Sequence, residues 1–71
     1  MDIIRIKDNE GFIKLGQALK ASGLASSGSE AKMMILDGEV SVNGEVDMRR
    51  GRKLYPGDII SCLDEEIQVV S

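Results

Sequence analysis

The sequence predicts an α+β domain in which an antiparallel two-helix unit packs on a small, mostly antiparallel β-sheet. Three observations lead there. Apolar residues alternate at every second position near the start and again after residue 38, they recur at helical spacing over 11–22 and 27–37, and Gly11, Gly23 and Gly38 stand where the period changes. At 71 residues there is room for one core, so residues 1–71 are expected to form a single domain.

The elements follow in order. Ile4 and Ile6 alternate with Arg5 and Lys7, which predicts a short half-buried strand over 1–7, ended by Asp8 and Asn9. From 11 to 22, Phe12, Leu15, Ala18 and Leu19 form the apolar face of an amphipathic helix, with Lys14, Gln17 and Lys20 facing away and Phe12 assigned to the core. Gly23 closes this helix in a left-handed conformation, and Leu24 folds back over its last turn. Ser27 and Glu30 have capping-box spacing: the serine hydroxyl accepts from the amide three residues on, and the glutamate reaches back to the cap amide. The second helix then runs to about residue 37, with Ala31, Met34 and Ile35 inward, Lys32 to the side and Gly38 as its stop. Val40 and Val42, the Asn43-Gly44 pair, and Val46 and Met48 read as strand, tight turn and strand. Pro56 and Gly57 make a turn of residues 55–58. Strands are expected over 59–63 and 67–70, joined by a solvated turn at Asp64, Glu65 and Glu66.

Composition narrows the chemistry. The chain has no histidine and one cysteine, so an intrachain disulfide, a Cys/His metal cage and the usual histidine-activated nucleophiles are all excluded. No catalysis, metal or cofactor is expected, and a chain this short has little interior for a small-molecule substrate. Cys62, inside an apolar run, reads as a small core hydrophobe. The longest apolar run, Met33 to Leu36, is far short of a membrane span. No signal-peptide pattern opens the chain, so a cytoplasmic protein without membrane contact is expected.

The net charge of -3 opposes a polyanionic partner at long range, but the charges are unevenly placed. All nine basic residues lie between Arg5 and Lys53 with seven acids, whereas five acids and no base lie outside that stretch. Four of the bases are Arg49, Arg50, Arg52 and Lys53, grouped around Gly51. Three guanidiniums and an ammonium beside a glycine suit phosphate oxygens, which arginine grips with paired hydrogen bonds. A solvated edge that resists strand-to-strand aggregation is the plain alternative, though isolated lysines ordinarily serve that purpose. The four cations are expected to be exposed and self-repelling. Lys14, Lys20 and Lys32 extend the basic surface if the helix pair lies beside this loop. Ser26, Ser27 and Ser29 with Gly28 lead into a helix N-terminus, where free amides attract anions. With Phe12 in the core, Tyr55 would be the only ring left, too little to stack successive bases. A folded RNA held by phosphate contacts and shape is therefore expected over a single strand read by its bases.

Taken together, Leu15 and Leu19; Ser27, Ser29, Glu30, Ala31 and Lys32; Ile35, Gly38, Val40, Val42, Asn43 and Gly44; and Leu54, Gly57, Asp58 and Ile60 carry a family resemblance. They resemble the small RNA-binding domain, or alpha-L RNA-binding motif, of the fourth protein of the small ribosomal subunit, which also accompanies pseudouridine synthases and bacterial tyrosyl-tRNA synthetases. The match covers about residues 12–62, and the run 49–54 looks most like the stand-alone bacterial subgroup. The resemblance implies non-catalytic binding of structured RNA, ribosomal or transfer, on the ribosome or its assembly intermediates, through the helix pair and the adjacent loop. Carried over by position, the implied RNA-binding residues are Arg49, Arg50, Arg52, Lys53, Lys32 and Ser27; Lys20 joins them from the helix-surface reading above. Gly28, Leu36, Glu39 and Glu45 depart from the pattern, standing where basic or polar residues are common. Two other readings remain: a protein–protein interaction module, and a relative of ubiquitin-like sulfur carriers lacking their Gly-Gly end. The closing Val70 and Ser71, and two helices ahead of the hairpin, disagree with the latter.

Overall fold

The computed structural model describes residues 2–7 and 10–71; Met1, and the strand end read at Asp8 and Asn9, lie outside the described residues. The chain runs β1 (Asp2–Arg5), β2 (Ile13–Lys14), α1 (Leu15–Ala21), α2 (Gly28–Leu36), β3 (Val40–Val42), β4 (Glu45–Val46), β5 (Lys53–Leu54), β6 (Ile59–Cys62) and β7 (Glu65–Val70). Five strands form one sheet in the order β1-β7-β6-β3-β4, antiparallel throughout except where β1 lies parallel to β7. β2 and β5 make a separate antiparallel ribbon, with Ile13 opposite Leu54 and Lys14 opposite Lys53.

The period-2 pattern decides which face of the sheet is covered. Ile4, Val40, Val42, Ile60, Cys62, Ile67 and Val69 point to one side and are buried. They meet Leu15, Ala18 and Leu19 of α1 and Ala31, Met34 and Ile35 of α2 in one cluster, joined by Leu54 and Ala25. Each fully buried aliphatic side chain contributes about 1.5–3 kcal/mol relative to exposure. The residues between them, Ser41, Ser61, Glu66 and Gln68, lie on the open face.

The turn chemistry holds at its main points. Asn43 and Gly44 both have positive φ (52° and 88°), which matches the right-handed twist of the hairpin strands. Gly23 and Gly38 end the helices at φ 86° and 76°. Ser27 caps α2, its Oγ accepting from the Glu30 amide at 3.1 Å.

Four expectations are corrected. The first helix does not start at Gly11: the Leu15 and Gly16 amides donate to the carbonyls of Arg52 (2.9 Å) and Arg50 (3.0 Å), and the chain before them pairs with β5 instead. Phe12 is therefore not on a helix, and it is only half-buried, outside the core. Glu65 and Glu66 are not a turn. Cys62 faces Glu65 across β6 and β7, which leaves a two-residue connection, and Leu63 and Asp64 supply it at φ 53° and 65°. Finally, Glu30 does not return to the cap amide; its carboxylate accepts from the Ser26 amide (3.1 Å) and hydroxyl (2.9 Å), one residue earlier.

Candidate functional site

The loop between β4 and β5 carries the basic run, and an acid organises it. Asp47 follows β4 directly, its amide donating to the Val40 carbonyl at 3.0 Å, and only 6% of the residue is exposed. Its carboxylate accepts from the Arg49 amide (2.9 Å), Arg49 Nε (3.1 Å), Arg49 Nη2 (2.9 Å) and Arg52 Nη1 (2.7 Å). Hydrogen bonds from Arg49 outweigh the opposing effect of burial, and with Arg52 they hold the Asp47 carboxyl well below the usual carboxylate range. The expectation of four exposed, self-repelling cations is thus corrected: two of the three guanidiniums close on one buried carboxylate. Arg52 retains 29% of its side-chain exposure, whereas Arg49 retains 73% and reaches solvent from the clasp.

Arg50 is used differently. The Arg52 amide donates to the Arg49 carbonyl at 3.1 Å, forming a tight turn that turns Arg50 toward the first turn of α1. There Gly16 leaves no space: a Cβ built on it would stand 2.8 Å from Arg50 Cγ. This seating opens a cleft of about 380 Å³ between α1, the loop and the start of α2, lined by Lys14, Gln17, Lys20, Gly28, Arg50 and Gly51. Among the described residues, three cations line it and no carboxylate does.

The residues singled out from sequence thus separate. Arg50 and Lys20 line the cleft, Ser27 caps the helix whose first residue, Gly28, is at its wall, and Lys32 is exposed further along α2, outside the lining. Arg49 and Arg52 belong to the clasp. Lys53 lies on the β2–β5 ribbon, with its ammonium 4.9 Å from the Phe12 ring centroid. Sequence reading missed Asp47, counted there only as one acid among seven, and Gly16, hidden in a helical pattern. An acid two residues before one arginine and five before another was the available signal for the first.

Other groups are less involved. Burial, and then the charge of Glu39, push the Cys62 thiol up, in keeping with a core side chain. Among the described residues, no three or more of His, Cys, Asp and Glu are grouped so as to hold a metal ion, and no helix is long and apolar enough to cross a membrane.

The family model for the S4 domain matches residues 4–70. The chain belongs to the S4 domain family. Among its relatives, the S4 domain here is 52% identical over 49 residues, 69% of each chain, to the probable ribosome maturation protein RlbA of Bacillus subtilis (strain 168). It is 36% identical over 59 residues to YbcJ of Escherichia coli (strain K12), covering 83% of this chain and 84% of that one. The solution structure of YbcJ, described as revealing an alpha-L motif involved in RNA-binding, superposes with a TM-score of 0.74 at 31% identity, over 100% of this chain and 89% of that one. The resemblance read from residues 12–62 thus holds, and the two helices on a mostly antiparallel, mixed sheet are the S4 arrangement.

Proposed function

We propose that this S4 domain is a non-catalytic RNA-binding protein that holds folded ribosomal or transfer RNA by its phosphates, in the cleft between α1, the start of α2 and the loop 49–53. The observation that carries the reading is the convergence of Lys14, Lys20 and Arg50 on a cleft that, among the described residues, no carboxylate lines. Arg50 supplies a planar fork for phosphate, the lysines supply point charge, and the α2 amides near Gly28 add the positive end of the helix dipole. Lys53, directly opposite Lys14, extends the surface; like charges so placed repel, and a polyanion relieves that cost. Arg49 and Lys32 contribute from the margins, and Arg52 acts chiefly by positioning the loop. Ser27 caps α2 and offers its hydroxyl hydrogen at the same rim. The ribosome-maturation name of the Bacillus relative supports a cytoplasmic target on the ribosome or its assembly intermediates.

Salt dependence tests the reading. Four to six neutralised phosphates correspond to a log–log slope of about -3 to -5. Wild-type protein is therefore expected to retain ribosomal RNA fragments at low salt and to release them with that slope. Failure of the folded protein to retain them at low salt overturns the proposal.

A further inference from the structure

Both aromatic rings of the chain, Phe12 and Tyr55, lie outside the core, and they lie together. The core is complete without them, built of aliphatic side chains with one methionine and one cysteine. The β2–β5 ribbon explains how they meet. Ile13 and Leu54 oppose each other and turn inward, Leu54 being fully buried. Alternation, continued one residue beyond β2 and β5, puts residues 12 and 14 on one side of the ribbon and 53 and 55 opposite them on the same outer face. That face carries two lysines and two rings, side by side, and its Lys14 end lines the phosphate cleft.

We propose that Tyr55, backed by Phe12 and flanked by Lys53 and Lys14, stacks one unpaired nucleobase of the RNA whose phosphates the cleft holds. This rests on the RNA-binding reading above and adds a class of target to it: a helical RNA with a bulged or loop nucleotide beside the stem. The ring centroids are 6.2 Å apart with planes 55° to one another, a tilted contact and not a parallel stack. Lys53 sits over the Phe12 face, whereas Tyr55 is 50% exposed. One ring is therefore available, which suits a single base and not a run of them.

The backbone at Tyr55 is also held in place before any ligand arrives. Its amide donates to Asp58 Oδ2 at 2.8 Å, Asp58 Oδ1 accepts from Asn43 Nδ2 at 3.0 Å, and Asn43 Oδ1 accepts from the Ile59 amide at 2.9 Å. The tip of the β3–β4 hairpin thereby fixes the 55–58 turn from which the ring projects, and a preorganised backbone gives up little entropy on binding. Along each arm of the ribbon the backbone position carrying a ring is two residues from one carrying a lysine, a rise of about 6.6 Å. That is comparable with the reach from a nucleotide's base to its phosphate. Stacking is tolerant of base identity, so the site selects an unpaired nucleotide and not a sequence.

Two hairpin RNAs with the same stem test this, one with a single 2-aminopurine bulge and one fully paired, each titrated with the full chain. Wild-type protein is expected to bind the bulged hairpin about tenfold more tightly and to quench its fluorescence, a step of the size stacking on one ring provides. Tyr55→Ala should lose both the advantage and the quench, yet keep its affinity for the paired hairpin and its salt slope. Tyr55→Phe should keep all four. A Tyr55→Ala protein that binds the bulged hairpin as tightly as wild type, or a wild-type complex without quenching, overturns the stacking site. Equal wild-type binding to the two hairpins overturns the stacking site alone. Binding to neither overturns the RNA reading and this one with it.

Discussion

Arg50 and Arg52 are two residues apart in one basic run, and the fold uses them in opposite ways. Arg52 turns in to Asp47, loses most of its exposure and shares a carboxylate with Arg49. Arg50 turns out over Gly16 and lines an open cleft with Lys14 and Lys20. The charge of a run therefore does not say how many of its members face a partner. One acid inside the fold decides it here, by taking two guanidiniums and leaving the third.

The largest effect expected from breaking this division is at Asp47. Asp47→Ala removes the acceptor of four hydrogen bonds and leaves Arg52 half-buried without a counter-charge. A fully buried pair broken in this way costs about 3–5 kcal/mol, and the access of both arginines to water brings the expectation here to about 2 kcal/mol, read from urea denaturation. The pH dependence has a definite sign. Because the folded-state pKa is lowered, the unfolded chain takes up the proton first as pH falls, so the stabilisation is fully present above the unfolded value of about 3.9 and is lost below it. The stability difference between wild type and Asp47→Ala should stay level from pH 7 to about 4 and shrink at lower pH.

A smaller effect is expected at the rim of the cleft. Ser27→Ala loses the cap on α2 and should cost about 1 kcal/mol, seen as a lower denaturation midpoint at unchanged slope. A smaller change in stability still should come from Gly16→Ala. The added methyl meets Arg50 Cγ, so the arginine must shift, while the helix gains part of the roughly 1 kcal/mol by which alanine exceeds glycine in a helix interior. Stability should move little and RNA affinity should fall several-fold, although no charge has changed. A retained affinity would mean that the charge of Arg50 matters and its seating does not.

Most of this architecture was legible in local patterns. The alternation of Val40, Val42, Ile60 and Ile67, the helical spacing of Leu15, Leu19, Ala31 and Ile35, and the Asn43-Gly44 turn each depend on neighbours in sequence. What escaped depends on pairings between distant segments. Ile13 and Lys14 are too short a strand to show a period, and only β5, some forty residues later, makes them one. That pairing also takes Phe12 out of the core and brings it to Tyr55. Leu63 adopts a left-handed conformation that its residue type does not favour, beside Asp64, whose type tolerates it, because the register of β6 on β7 leaves room for two residues only. Within the candidate site, the basic run was visible as charge. Its division was not, since it rests on the burial of Asp47.

The claim that Arg50 faces RNA while Arg52 holds the loop is tested most directly by the salt dependence of RNA binding for Arg50→Ala and Arg52→Ala beside wild type, with the stability of each protein measured in parallel. Arg50→Ala is expected to reduce the magnitude of the log–log slope by about 1 with its denaturation midpoint unchanged. Arg52→Ala is expected to lower the midpoint, and to keep the wild-type slope under conditions where it is fully folded. An Arg50→Ala protein with the wild-type slope and affinity, or an Arg52→Ala protein of unchanged stability whose slope falls by about 1, would contradict the division.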